Sequence, residues 1–170
     1  VIYVIGGKNG AGTILTTIQT ASTSQPINFT ISPNVIPGGV GVQGGTIIKT
    51  SRYFYLLGGQ TTTGNYYRAD LNTPTVWSLV STNGPAYSNG RAFIKGGYLW
   101  YLGGSLATPT GRRAVIENGE IIDASWTGNS ASFPALGPIP MGSFNLAVAG
   151  EFVYILGGYN GVTVSNKIYR

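Results

Sequence analysis

The most constraining feature of this sequence is a short motif that recurs four times at intervals of about 50 residues. In each copy an aromatic residue and two further apolar residues are followed by a pair of glycines. The copies occupy residues 3–7, 55–59, 100–104 and 154–158, and two more apolar residues precede each of them. Five consecutive apolar residues indicate a strand buried on both faces, which in antiparallel sheets occurs when sheets stack face to face.

The remainder of each period predicts three more strands. An apolar segment lies about ten residues before each later glycine pair, a third segment follows the pair after a polar loop, and a fourth carries a large aromatic residue. In chain order these are strands a, b, c and d, with the glycine pair at the end of b. The predicted units are residues 1–39 with strands b–d, 40–84 and 85–138 with all four strands, and 139–170 with strands a–c.

These motifs resemble the kelch repeat, in which a hydrophobic strand ends in Gly-Gly, the third strand carries an aromatic and a basic residue, and the fourth carries a tryptophan. Here the basic residues Arg68, Arg113 and Arg170 fall in one column, and Trp77 and Trp126 stand at the tryptophan position. The first unit departs most, with Phe29 in place of tryptophan and a threonine-rich stretch at residues 13–23. The resemblance covers the whole chain and implies an all-β fold of β-propeller blades, each of four antiparallel strands.

The length of the chain predicts an incomplete ring. At this period a propeller of six or seven blades requires roughly 300 to 350 residues, whereas the sequence has 170. We therefore expect further blades, from the same polypeptide or from neighbouring subunits.

The composition argues against catalysis. The chain has no cysteine and no histidine, so it offers neither thiolate nor imidazole for a metal site, and no Ser-His-Asp triad. Sugar-oxidising kelch enzymes use copper, histidine ligands and a cysteine-tyrosine cofactor, which these residues cannot supply. The one acidic cluster, Glu117, Glu120 and Asp123, flanks a hairpin signal at Asn118-Gly119. We interpret this cluster as solvated hairpin residues rather than as a metal site or a general acid pair. The sequence thus predicts that the protein is not an enzyme and binds no cofactor or metal.

The scattered charges and the short apolar runs argue against nucleic-acid binding and against a membrane-spanning helix. The net charge is +5, but only 9% of residues are charged and the ten basic residues are scattered along the chain, so no clustered footprint for nucleic acid is present. The longest apolar run is about five residues, far below the roughly 20 of a spanning helix. We predict that the chain does not bind nucleic acid and does not span a membrane.

The loops that follow strands b and d emerge on one face of a propeller, and exposed aromatic and arginine side chains on such loops are typical anchors for a partner. The candidate binding residues on this face, for a protein or glycan partner, are Gln60, Tyr87, Arg91, Arg112 and Tyr159. By contrast, the aromatic residues Tyr3, Tyr55, Trp100 and Tyr154, like Trp77 and Trp126, are predicted to belong to the core rather than to stack on sugars.

The overall prediction is a non-catalytic structural or interaction module. Its low charge and abundant threonine, serine, asparagine and glycine favour part of a larger virion protein, such as a phage appendage, or of an extracellular or cell-surface protein. The alternatives are a cytoplasmic kelch scaffold for protein interactions, or a non-catalytic part of a carbohydrate-active propeller enzyme.

Overall fold

The computed structural model of the chain describes residues 1–39, 41–59, 64–104, 111–127, 142–159 and 161–170. Of these residues, 54% lie in β-structure and 4% in helix, the latter as two short 3-10 helices at Pro37–Gly39 and Asp123–Ser125. The prediction of an all-β chain is confirmed. None of the helices in these ranges is long and apolar enough to cross a membrane.

The strands of the described ranges form four antiparallel sheets, which follow one another along the chain. Sheet 1 contains β1 (Ile2–Ile5), β2 (Thr17–Ser22) and β3 (Gln25–Val35), and sheet 2 contains β4 (Gly45–Lys49), β5 (Tyr53–Gly58), β6 (Tyr66–Asp70) and β7 (Trp77–Ser81). Sheet 3 contains β8 (Arg91–Lys95), β9 (Tyr98–Leu102), β10 (Gly111–Glu117) and β11 (Glu120–Ile121), and sheet 4 contains β12 (Asn145–Ala149), β13 (Phe152–Leu156) and β14 (Ile168–Tyr169). Within each sheet every strand pairs with its neighbour in sequence, and the sheets do not close into a ring, as expected for an incomplete propeller-like fold.

Local sequence accounts for the turns that join these strands. Asn118 and Gly119 connect β10 to β11, with φ angles of 49° and 79°, and Glu117 lies opposite Glu120 in the register. Two successive positive φ values define the turn that matches the twist of a two-residue hairpin. The predicted hairpin is therefore confirmed.

In the part of the chain that the structure describes, three apolar cores lie between successive sheets. Leu56 of β5 and Ile18 of β2 belong to the core between sheets 1 and 2, whereas Tyr55 and Leu57 face the core between sheets 2 and 3. Leu102 and Ile155 belong to the core between sheets 3 and 4. Because successive residues of a strand point to opposite faces, β5 is buried on both sides, as its five-residue apolar run predicts.

The aromatic residues at the start of each motif are less uniformly buried than predicted. Tyr55 is fully buried, but Tyr3, Trp100 and Tyr154 are only half-buried. Tyr3 borders a small cavity beside sheet 2, and Trp100 borders a larger one beside sheet 4. The core prediction is thus right for Tyr55 and too strong for the other three, because burial at this position depends on what the next sheet places over it.

The fourth strands also differ from their prediction. Trp77 begins β7 and is buried, but Phe29 is 40% exposed on β3. In sheet 3 the fourth strand is formed by Glu120–Ile121, and Trp126 follows it, half-buried, after the 3-10 helix. The hairpin at Asn118-Gly119 starts this strand earlier than a tryptophan-centred strand requires, which explains the shift.

Candidate functional site

The contact between sheets 2 and 3 contains a polar cluster centred on Asp123. Its Oδ1 accepts a hydrogen bond from the Tyr66 hydroxyl at 2.9 Å, and its Oδ2 accepts one from the Ser81 hydroxyl at 2.9 Å and one from Asn83 Nδ2 at 3.3 Å. Burial, together with the hydrogen bond to this carboxylate, raises the pKa of Tyr66 above its ordinary value. Asp123 therefore joins the two sheets.

Glu120 makes a second link across the same contact. Its carboxylate pairs with Arg52 at 2.6 Å and with Arg68 at 3.2 Å. The following residue, Ile121, is buried, and its backbone N–H donates to the Tyr55 hydroxyl at 3.2 Å. The interpretation of the acidic cluster as solvated hairpin residues is thus wrong for Glu120 and Asp123 and holds for the exposed Glu117. The hairpin packs against the preceding sheet, a contact that local sequence does not reveal.

Arg112 occupies the loop end of this contact. Its guanidinium donates to the backbone carbonyls of Asn83 and Gly84, each at 2.7 Å, and to that of Thr127 at 3.0 Å, and it lies 5.3 Å from the ring centre of Trp126. Burial lowers the pKa of Arg112 from its ordinary value. This predicted binding residue therefore already bonds three carbonyls of the protein.

The other predicted binding residues do not form a single group. Tyr87 is half-buried, and its carbonyl accepts hydrogen bonds from the Tyr101 hydroxyl at 2.8 Å and from the Gly59 N–H at 3.0 Å. Arg91 begins β8, and its guanidinium donates to the carbonyl of Gly90 at 2.9 Å. The loop carrying Tyr87 is thus held firmly between sheets 2 and 3.

Two predicted residues remain apart from that loop. Tyr159 follows sheet 4, is 36% exposed, and donates its hydroxyl to the carbonyl of Gly161 at 2.6 Å. Gln60 lies outside the described residues. Arg112 binds the carbonyls of Asn83 and Gly84, in the same loop that carries Tyr87. Tyr159 lies elsewhere, between β13 and β14.

The arginine column of the repeat stacks on aromatic rings. Arg68 lies 4.5 Å from the ring centre of Tyr53, Arg113 lies 4.6 Å from that of Tyr98, and Arg170 lies 4.4 Å from that of Phe152. These are cation–π distances, and each ring is the first residue of the apolar strand in its own sheet. The repeat therefore places one positive charge on the corresponding face of sheets 2, 3 and 4.

A large apolar groove lies between sheets 3 and 4. It has a volume of about 590 Å³ and is lined mainly by Tyr98, Trp100, Val153, Ile155 and Tyr169, an arrangement referred to below as the strand groove. Lys95 and Glu151, whose charged groups are 3.3 Å apart, lie at its border. The volume is in the range of pockets that bind ligands.

The outward face of sheet 1 exposes apolar side chains. Ile27 is 86% exposed, Ile31 is 69% exposed, and Phe29 lies between them on β3. Ile31 lies opposite Gln19, which lies opposite Val4, so the exposed Val4 shares this face. At the other end of the chain, sheet 4 exposes Phe152, Leu156 and Ile168.

Within the described ranges, no group of three or more acidic side chains is arranged to hold a metal ion. No protein-family model matches the chain, and no curated protein matches it.

Proposed function

We propose that this chain is a non-catalytic, kelch-type segment of a β-propeller that serves as a structural and interaction module in a larger assembly. The observation that carries the proposal is the apolar outward face of sheet 1. Val4 and Ile31 are exposed on this face. In sheets 2, 3 and 4 the equivalent face is buried against the preceding sheet, because Leu56, Tyr101 and Ile155 on it belong to apolar cores. A face of this kind is complementary to another sheet.

The energetics support association through this face. Burying one exposed aliphatic side chain contributes roughly 1.5 to 3 kcal/mol, and Ile27, Ile31, Val4 and Phe29 are all exposed together. Contiguous apolar surface of this kind marks an interaction site in soluble proteins. The natural occupant is a further propeller blade, from the same polypeptide or from a neighbouring subunit.

The loop face is the proposed site for an external partner, a protein or a glycan. Gln60, Tyr87, Arg91, Arg112 and Tyr159 are the candidate contacts. The hydrogen bonds that hold the Tyr87 loop and the Arg112 side chain favour this role, since a rigid loop loses little conformational freedom on binding. Arg112 acts chiefly by fixing the loop at Asn83 and Gly84, whose carbonyls it binds.

The proposed setting is a virion, for instance a phage appendage, or another extracellular or cell-surface structure. With 9% charged residues and few ion pairs between its sheets in the described ranges, such a module depends little on ionic strength. Detection of the protein with a specific antibody in purified virions or surface fractions supports this setting. Detection in the cytoplasmic fraction instead favours the cytoplasmic scaffold.

Sedimentation velocity of the 170-residue chain tests the central proposal. We expect concentration-dependent association that is weakened by Ile31→Thr and by Ile27→Thr, because both changes add a hydroxyl to the outward face. Val76→Thr is the matched control, since Val76 is 55% exposed but lies in the loop before β7. The proposal is contradicted if the chain stays monomeric at its highest soluble concentration. It is also contradicted if Val76→Thr weakens the association as much as Ile31→Thr and Ile27→Thr do. A hydrolase or oxidase activity that remains with the pure chain contradicts it as well.

A further inference from the structure

We infer that the glycine pairs Gly6-Gly7 and Gly58-Gly59 are binding sites for a backbone carbonyl of the following sheet, and that these sites fix successive sheets against each other. The two contacts concerned, between sheets 1 and 2 and between sheets 2 and 3, both lie within the described residues. Each pair is called a glycine socket below. The role of the sockets does not depend on the proposed function, because it concerns contacts within the chain.

The second glycine of each socket donates a hydrogen bond to the next sheet. The Gly7 N–H donates to the carbonyl of Val42 at 2.7 Å, and the Gly59 N–H donates to the carbonyl of Tyr87 at 3.0 Å. Val42 and Tyr87 each lie in the loop that precedes the first strand of the next sheet, β4 or β8. These segments, residues 42–44 and 87–89, are called the docking loops. The same backbone donor therefore meets the same kind of acceptor in both contacts.

The first glycine of each socket leaves room for that carbonyl. A Cβ atom on Gly6 would overlap the carbonyl oxygen of Val42, and one on Gly58 would overlap the carbonyl oxygen of Tyr87. Gly6 and Gly58 also have φ angles of 68° and 65°, a conformation that glycine adopts readily and other residues rarely adopt. Any other residue at these positions would thus both strain the backbone and displace the docking loop.

The two docking loops are also joined directly to each other. The Asn89 N–H donates to the carbonyl of Gly44 at 2.7 Å, so each loop makes this bond through the residue two positions after its docking carbonyl. Gly44 again has a positive φ, 69°, and a Cβ atom there would overlap the Asn89 side chain. Contacts between backbone groups therefore continue from one docking loop to the next along the loop face.

The side chain at the docking position does not determine the contact. Val42 is a buried aliphatic residue and Tyr87 a half-buried aromatic one, yet their carbonyls bind equivalent sockets. The Tyr101 hydroxyl adds a second donor to the Tyr87 carbonyl, at 2.8 Å, whereas Leu56 at the equivalent position of β5 has no hydroxyl. Because every residue carries a carbonyl, a socket of this kind accepts loops of different sequence. This explains why the glycines recur while the docking loops differ.

Amide hydrogen exchange of the 170-residue chain, followed by NMR, tests the role of the sockets. In the parent chain the Gly7 and Gly59 amides should exchange as slowly as the amides of the central strands. Gly58→Ala should accelerate exchange at Gly59 about tenfold more than at Gly7, since it breaks one hydrogen bond locally, and Gly6→Ala should do the reverse. Gly96→Ala is the matched control, because Gly96 has a φ of 62° but a Cβ atom there meets nothing within 4 Å. It introduces the same backbone strain without the overlap.

Two further measurements separate the carbonyl from the side chain that carries it. Tyr87→Ala should leave the Gly59 amide protected, because the variant keeps the carbonyl. In urea denaturation, Gly58→Ala should lower the midpoint more than Gly96→Ala does, because only the former leaves a docking carbonyl without its donor.

Four outcomes overturn the inference. They are fast exchange of Gly7 and Gly59 in the parent chain, equal effects of Gly58→Ala and Gly96→Ala, an equal loss of protection at both amides in Gly58→Ala, and loss of protection at Gly59 in Tyr87→Ala. If Gly58→Ala does not fold, exchange in the parent chain and in Tyr87→Ala still decides whether the carbonyl is bound. If the sockets fail these tests while the chain still associates through sheet 1, this inference falls and the proposed function stands.

Discussion

The contacts on the two sides of sheet 3 are built from the same repeat, yet one is closed and the other is open. Between sheets 2 and 3, β11 covers the aromatic residues of β5, and Tyr55 is fully buried. Between sheets 3 and 4, the corresponding Trp100 borders a groove of about 590 Å³. In the closed contact the short outer strand β11 covers the aromatic residues of the preceding sheet, and in the open contact no strand of the described residues does so.

The polar links differ in the same way. The closed contact has the Glu120 ion pairs and the Asp123 hydrogen bonds, all contributed by the segment that begins with β11. The open contact has the Lys95–Glu151 pair, in which the Glu151 side chain is 90% exposed. A pair so exposed to water contributes little to stability, so the open contact depends on its apolar core.

Truncation of the equivalent aromatic residues should give the largest difference between the two contacts. Tyr55→Ala is expected to lower the free energy of unfolding by about 3 to 5 kcal/mol, since it leaves a cavity in a closed core. Trp100→Ala should cost roughly half as much, because its side chain already borders open space. Urea denaturation monitored by circular dichroism measures both values. Equal losses would show that the groove is closed in solution.

The Asp123 cluster predicts an intermediate effect and a dependence on pH. Tyr66→Phe removes a hydrogen bond to a carboxylate and should cost about 1.5 to 3 kcal/mol. The pKa of Tyr66 is raised above 10.0 in the folded chain by burial and by Asp123, so the folded state retains its proton more strongly than the unfolded state. Its contribution is fully present below pH 10 and is lost as the pH rises through the folded pKa.

Thermal melts of the parent chain and Tyr66→Phe from neutral to strongly alkaline pH test this effect. The variant should lose less stability than the parent above pH 10. Tyr66→Phe should still lose some stability at alkaline pH, since burial also raises the pKa of Tyr101 and of Tyr55. Tyr159→Phe is the control, because its hydroxyl bonds an exposed loop carbonyl near the open contact. An identical alkaline profile in parent and Tyr66→Phe would exclude the cluster as its source.

The ion pairs should give the smallest effect. Glu120→Gln is expected to cost about 1 kcal/mol, since both arginine partners are partly exposed and the interaction is screened by water. Glu151→Gln should cost only a few tenths of a kcal/mol by the same argument. Unfolding at low and at high salt checks both, because added salt should reduce the loss from Glu120→Gln. A larger loss from Glu151→Gln would reverse the proposed order of the two contacts.

The sequence alone predicted much of the fold. The four glycine pairs and the apolar runs before them located the central strands, and Asn118-Gly119 located a hairpin, since these signals depend on local backbone geometry and on alternation along a strand. The candidate site was less accessible. Neither the partners of Glu120 and Asp123 nor the carbonyls bound by Arg112 lie nearby in sequence, so no local pattern distinguished these residues from solvated ones.

The sequence by itself determined the all-β class, the central strands that end at the glycine pairs and the column of arginines, because each of these is set by spacing within one repeat. Only the tertiary structure decided which equivalent positions are buried. Tyr55 and Trp100 occupy the same column, but Tyr55 is covered by the hairpin of the next sheet, whereas no hairpin of the described residues covers Trp100. Burial, ion pairing and the strand groove are properties of contacts between sheets, and these contacts join residues that are far apart in the chain, as for Arg68 and Glu120 at a separation of 52 positions.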